Sequence, residues 1–433
     1  MPPDHERDAS GRIADGSHSR HSATKAPTGR NWAILSLTVR KGRLCKTGRM
    51  TAGPRARPFG IYVHVPFCAT RCGYCDFNTY TPAELGGANP DGWLEALRIE
   101  LELAAAGLAS SRGAVPEVLT VFVGGGTPSM LGGERLAAVM DAIRAHFVLV
   151  PGAEVTTEAN PESTSHELLE RLREAGFTRL SLGMQSSAPH VLAALDRVHS
   201  PGRALAAVAD ARDAGFEHIN LDLIYGTPGE TDDDLRRSVD AVLGAGVDHV
   251  SAYALVVEEG TALARRVRRG ELPAPDDDVL AARYELLDAR LSAAGFDWYE
   301  VSNWSLSGGE CRHNLGYWDG GEWWGAGPGA HGYVDSTRWW NIKHPNAYAQ
   351  SLADGRLPVA DSETLDDAAR HTEDVMLGLR LRRGLPLDTL SAKETTRAQL
   401  AVSDGLVARQ DDRLVLSDRG RLLADAVVRD LLD

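Results

Sequence analysis

No apolar run in this 433-residue chain approaches the ~18–20 residues of a membrane-spanning helix. Cysteine is scarce as well: five residues in all, too few for a disulfide scaffold in a chain this long. Excess positive charge is missing overall, the formal net charge being −14. That charge is uneven: residues 1–57 hold 12 Lys+Arg against 4 Asp+Glu, leaving 34 against 56, a net of −22, for the rest. An acidic body argues against general affinity for nucleic acid or anionic lipid. Residues 1–30 contain almost no aliphatic side chains, so burial cannot offset their ordering entropy, and residues 1–57 are expected to form a disordered basic tail. The apolar run at 33–39 is too short and too far from the start for a signal peptide. Met50 is an alternative start, because folded-looking pattern begins only eight or nine residues later. The remainder is long enough for one large domain and a smaller one. It is expected to be soluble and cytoplasmic, with room for peripheral contact with a membrane protein.

What cysteine there is lies close together. Cys68, Cys72 and Cys75 fall within eight residues, spaced C-x3-C-x2-C, directly after a β-like run at 61–65. Such a triplet suits a reducing compartment and one metal centre, since a disulfide would leave one thiol spare. Structural zinc wants a fourth ligand, which would have to come from His64, Asp76, Cys45 or Cys311. An iron–sulfur cube on three thiolates leaves one iron open to a chelating small molecule. Spacing alone leaves both readings, and a redox pair, available.

From residue 59 the pattern alternates strand and helix. Strands are expected at 61–65, 119–123, 155–161, 179–185, 218–226 and 249–255. Helices are expected at 93–106, 134–147, 167–175, 203–214 and 233–243, two of them closed by Gly176 and Gly215. Six such units predict a parallel sheet with outer helices, too few for an eight-unit barrel and so a partial (β/α)6 barrel. In barrels of that kind the site lies at the carboxyl ends of the strands. Those ends carry Cys68 to Cys75, Gly124-Gly-Gly-Thr-Pro, Glu158, Gln185 and Asp222. The triple glycine is either a tight turn or a place where a ligand approaches the main chain; it lacks the spacing of a phosphate loop. Glu158 and Asp222 stand in otherwise apolar strands, where a carboxylate needs a partner, either a buried arginine or a ligand.

Tyr62-Val-His-Val-Pro-Phe-Cys, Cys72-Gly-Tyr-Cys-Asp-Phe and the cysteine spacing resemble the radical S-adenosylmethionine (SAM) superfamily. Within it they resemble the oxygen-independent coproporphyrinogen III oxidase group and its HemW-type haem chaperones, from about residue 59 to the C-terminus. The resemblance implies a [4Fe-4S] cluster on Cys68, Cys72 and Cys75, with SAM chelated to the open iron. It implies contacts from Gly125, Gly126 and Thr127 to the methionine part of SAM. It implies nucleoside contacts from Glu158 and Asp222, further SAM contacts from Gln185, Arg197 and Tyr62, and, more loosely, from Ala254 and His331. The protein's share of the chemistry would be orientation and exclusion of water.

After a long helix expected at 276–294 comes an aromatic-rich extension, 296–360, with seven of the nine tryptophans between Trp298 and Trp340. It suggests a lid or subunit contact, hence a homodimer, or else a platform for a flat apolar ligand. Its His313-Asn-Leu-Gly-Tyr-Trp resembles a signature of the haem chaperones, making His313 a candidate haem-contacting residue and Cys311 a weaker one. Residues 361–433 are expected to form a separate winged-helix-like α+β unit, with helices at 366–379, 387–390 and 396–402 and a hairpin around Asp411-Asp412. Local acidity argues against DNA binding. One departure sorts the subgroups: the oxidases have a further cysteine where this chain has Phe77, and their N-terminal region is missing. The resemblance therefore implies a chaperone that carries haem to respiratory haem proteins, with porphyrinogen decarboxylation as the alternative.

Overall fold

The computed structural model describes Arg57 to Arg197, Ser200 and Gly202 to Asp433. The expected tail, with Cys45 and Met50, lies outside the described residues save for Arg57. Six strands run parallel as neighbours: β1 (Phe59–Val65), β2 (Val118–Gly125), β3 (Leu149–Ala159), β4 (Arg179–Gln185), β5 (His218–Tyr225) and β6 (His249–Ala254). Between them lie α1 (Pro90–Arg112), α2 (Gly133–His146), α3 (His166–Glu174), α4 (Pro189–Ala194), α5 (Arg203–Asp213) and α6 (Asp232–Ala245). Among the described residues β1 and β6 do not pair with each other, so the six-strand array is open.

Alternation along each strand separates two faces. Ile61, Val63 and Val65 point to the helices, sharing a core with Leu97 and Leu101 of α1 and Met140 of α2. Their neighbours Gly60, Tyr62 and His64 point inward, opposite Thr120, Phe122 and Gly124 of β2. The inward face is polar and aromatic.

Boundaries differ from the sequence pattern for identifiable reasons. β3 begins six residues early, at Leu149, because Pro151 and Gly152 interrupt it: Val118 pairs with Leu149, but Thr120 pairs with Glu154. α1 starts before its first apolar residue, at Pro90, and is capped by the Asn89 side chain on the Gly92 N–H. α4 was not anticipated, being too short for a helical period to show.

The aromatic-rich segment continues the same sheet. β7 (Asp297–Glu300) and β8 (Asn303–Ser305) extend it beyond β6, with β8 antiparallel to β6. β9 (Glu322–Ala326) joins β1 in parallel, followed outward by β10 (His331–Val334), β11 (Thr337–Asn341) and β12 (Val359–Thr364). Of its seven tryptophans, Trp304, Trp324 and Trp339 are buried and the other four are half-buried. Trp324 packs on Trp339 with ring centroids 4.8 Å apart. These two rings fill the seam between β9 and β11.

The C-terminal residues have their own core, built around Val375, Leu379, Leu414, Val427 and Leu431. β14 (Val407–Gln410) and β15 (Arg413–Leu416) form the expected hairpin, joined on its other side by β13 (Leu385–Pro386). The helix expected from 396 begins at Ala392, because Ser391 and Glu394 form a capping box.

Candidate metal and cofactor site

The cysteine loop leaves the carboxyl end of β1 and is pinned on both sides. The Gly73 N–H donates to Leu195 O (3.0 Å), just past α4, and Gly73 O accepts from Leu263 N–H (2.7 Å) in the helix Ala262–Arg268. The Cys68 N–H donates to Tyr80 O (3.1 Å), closing the loop on itself. All three thiols are free and half-buried. The Thr127 hydroxyl lies 3.5 Å from Cys68 Sγ, and Arg197 Nη1 lies 3.6 Å from Cys72 Sγ. Burial pushes the Cys68 thiol up and the Cys75 thiol up to about 11. A bound cation reverses that balance, since a coordinating thiol is deprotonated outright.

Among the described residues a fourth protein donor is hard to find. His64 uses both ring nitrogens, Nδ1 with the Tyr62 hydroxyl (2.9 Å) and Nε2 with Asn78 O (2.9 Å). Cys311 is buried beside Glu154, its Sγ 3.5 Å from Oε1. Asp76 is exposed. A single zinc ion needs donors within about 4 Å of one another, whereas each thiolate of a cube binds its own iron. Among the described residues no three His, Cys, Asp or Glu side chains gather closely enough to hold one ion. The donor set fits a cluster with an open iron better than zinc.

The glycine loop after β2 runs against the cysteine loop. Gly126 N–H donates to Val65 O (2.7 Å) and Thr127 N–H to Phe67 O (2.8 Å). A Cβ on Gly126 would stand 2.5 Å from Phe67 O and 3.0 Å from Cys68 Sγ, so only glycine fits between the loops. The Gly125 N–H donates to Glu158 Oε2 (2.9 Å). Asp222 accepts from Asn220 Nδ2 (2.6 Å) and from the Ser181 hydroxyl (3.3 Å). Burial, and next the charge of Asp222, push Glu158 up to about 8; burial pushes Asp222 up to about 6. Two carboxyl groups perturbed by burial at the carboxyl ends of the strands mark a candidate ligand site.

Arg197 bridges the two halves of the site. Its Nη2 donates to Gly183 O (2.9 Å), while its buried Nε has no partner among the described residues. Gln185 ends β4 at φ 68°, a left-handed conformation rare outside glycine that persists where surroundings impose it. Ala254 ends β6 at the same end of the sheet, paired with Tyr225. His331 opens β10 after the loop that follows β9, and its ring is tilted over Trp340 at 5.9 Å. Burial pushes His331 down to about 4.

His313 is not brought to this end. Helix Arg312–Trp318 sits against the amino-terminal halves of β1 and β2. The His313 ring is bonded at both nitrogens, to the Thr120 hydroxyl (2.8 Å) and the Tyr317 hydroxyl (2.8 Å), and stacks on Phe122 at 5.3 Å. Glu154 caps that helix from β3, accepting from Arg312 N–H (3.0 Å) and His313 N–H (2.9 Å). It also pairs with buried Arg179 at 3.1 Å. Sequence reasoning missed Glu154, Arg179 and Thr120. An acidic and a basic residue in neighbouring apolar strands were the available signal.

A parallel α/β array bearing three free thiols on the loop after its first strand has the architecture of radical SAM proteins, and residues 62–242 match the Radical SAM superfamily. Residues 365–423 match the HemN C-terminal domain. The solved coproporphyrinogen III oxidase HemN of Escherichia coli shares the fold, with a TM-score of 0.75 at 23% identity, covering 87% of this chain and 90% of that one. The heme chaperone HemW of Mycobacterium tuberculosis is 72% identical over 87% of this chain and 95% of its own length. The heme chaperone HemW of Escherichia coli is 31% identical over 86% of this chain and 97% of its own length. The chain belongs to the HemW family within the radical SAM superfamily.

Proposed function

We propose that this chain is a haem chaperone that binds haem and passes it to respiratory haem proteins, supported by a [4Fe-4S] cluster and SAM. The observation that carries this is the 72% identity to a relative named as a heme chaperone, extending over 95% of that relative. Phe77, exposed where the oxidases have a further cysteine, favours carriage over decarboxylation.

Cys68, Cys72 and Cys75 would hold the cluster. Gly125, Gly126 and Thr127 would receive the methionine part of SAM, and Glu158, Asp222, Gln185, Arg197 and Tyr62 the rest, with Ala254 and His331 at the margin. When bound, the reduced cluster supplies an electron able to cleave the carbon–sulfur bond of SAM. The chain's own work is to orient and to exclude water. Arg197 places a fixed positive charge beside Cys72, and the half-buried carboxyl groups of Glu158 and Asp222 offer hydrogen-bonding groups to a ligand.

His313 is the proposed haem contact. It lines a cleft of about 210 Å³ with Pro58, Leu119, Tyr317 and Trp323. Small-molecule sites run from about 300 Å³ upward, so a macrocycle would enter this cleft by an edge. Coordination through Nε2 would displace the Tyr317 hydroxyl. His313→Ala is expected to weaken haem affinity and alter the haem spectrum; unchanged values would remove His313 from the haem site.

Delivery would take place in the cytoplasm, with acceptors reached at the membrane surface. Among the described residues no helix is long and apolar enough to cross a membrane. The test against the oxidase reading is an anaerobic assay with coproporphyrinogen III, SAM and a reductant. No decarboxylation is expected; product formation that depends on Cys72 would overturn the chaperone reading.

A further inference from the structure

Glu100 lies in the middle of α1, wholly buried on a face otherwise made of Leu94, Leu97, Leu101 and Ala104. A carboxylate in such a place is costly unless donors surround it. Three do. Gly327 N–H donates to Oε2 (2.8 Å), the Tyr348 hydroxyl to Oε2 (2.5 Å), and Asn341 Nδ2 to Oε1 (2.7 Å). Asn341 Nδ2 also reaches Gly327 O at 3.0 Å, so both polar groups of Gly327 are tied to one cluster.

That glycine belongs to the loop between β9 and β10, and the loop presses on the exit of β1. A Cβ on Gly327 would stand 2.5 Å from His64 O. One residue on, Pro328 O accepts from Asn78 Nδ2 (2.9 Å), which also donates to Lys343 O (2.9 Å). Asn78 follows Cys75 by three residues, and its own carbonyl meets His64 Nε2 (2.9 Å). An unbroken set of contacts thus runs from the buried carboxylate, through Gly327 and Pro328, to the trailing end of the cysteine loop. The leading end is held separately, by Gly73 between Leu195 and Leu263.

We infer that Glu100 is a positioning residue for the cysteine loop, acting through the glycine-rich loop at 325–332 and Asn78. This rests on the cysteine loop being the cluster site. Removing a partner that orients a metal ligand commonly costs roughly tenfold or more in metal affinity.

The test uses the full chain with two variants that cut the path at different places. Glu100→Gln keeps the size and removes the charge that three donors face. Asn78→Ala cuts the far end without touching the buried cluster. In the metal-free protein, amide hydrogen exchange across residues 66–80 is expected to rise in both, while residues 375–431 exchange as before. In the anaerobically reconstituted protein, both variants are expected to lose iron to a chelator roughly tenfold faster than wild type. Their reduced-state EPR spectra should also be altered. Val428→Ala, a destabilising control in the separate C-terminal core, should leave exchange at 66–80 and the EPR spectrum unchanged. Wild-type exchange over 66–80 in either variant overturns the proposal, and Asn78→Ala decides it alone if Glu100→Gln does not fold. Failure of the wild-type chain to take up iron would strike the cluster reading instead, because the exchange comparison needs no metal.

Discussion

At the carboxyl ends of the strands, three thiols stand free, Arg197 Nε has no partner among the described residues, and Gln185 holds a left-handed backbone. At the opposite end, His313 is bonded at both ring nitrogens and Glu154 accepts from Arg179, Arg312 and His313. The first end carries free thiols and a left-handed backbone; the second is mostly paired, though Arg179 Nη1 is buried there with no partner among the described residues. A protein tolerates unmet polar groups and backbone strain where a ligand will complete them. It caps and pairs the groups that close a core. The difference supports a ligand site at the cysteine end without reference to any relative, and gives the His313 helix a closing role whether or not haem also touches it.

The comparison breaks most sharply at the thiols. Cys72→Ser is expected to lose essentially all cluster iron while the metal-free chain keeps its melting temperature, checked by iron and sulfide counts beside thermal denaturation. At the other end the order reverses. Glu154→Ala leaves Arg179 buried without its carboxylate and strips the cap from the His313 helix, so a loss of about 3–5 kcal/mol is expected in chemical denaturation. The refolded fraction should still take up wild-type iron. Gly126→Ala is intermediate. A methyl group 2.5 Å from Phe67 O forces the two loops apart, at about 1–3 kcal/mol, with SAM affinity falling alongside. Equilibrium dialysis with labelled SAM reads that fall.

A further expected effect is one of pH. Burial holds His313 down to about 4, from an ordinary 6.5. As pH falls from about 6.5 toward 4, the unfolded chain takes up a proton that folded His313 excludes, and stability falls by up to about 1.4 kcal/mol per unit from this group. His313→Gln should flatten that slope in the metal-free protein, measured by denaturation at pH 7 and pH 5. An unchanged slope would mean the ring is not closed off as described.

The cysteine end was largely legible in sequence. Thiol spacing, the triple glycine and the carboxylates Glu158 and Asp222 are local marks, and strand–helix alternation puts them at one end. The supporting contacts were not. Glu100 reaches Gly327 across 227 positions, and Glu154 reaches His313 across 159. Nothing local in either helix or strand signals the partner. The crowded tryptophans did not show the added strands either: three of the seven, Trp304, Trp324 and Trp339, are buried along them and the other four are half-buried. The short strands β7 to β11 gave too few residues for a period of two to show.

The most direct test of the central claim is haem titration of the anaerobically reconstituted full chain, followed by optical absorption, with iron and sulfide counted on the same sample. A haem carrier with a cluster on three thiols should bind haem saturably and hold roughly four irons per chain. A full cluster with no saturable haem binding would contradict the chaperone account and direct the search to porphyrinogen substrates.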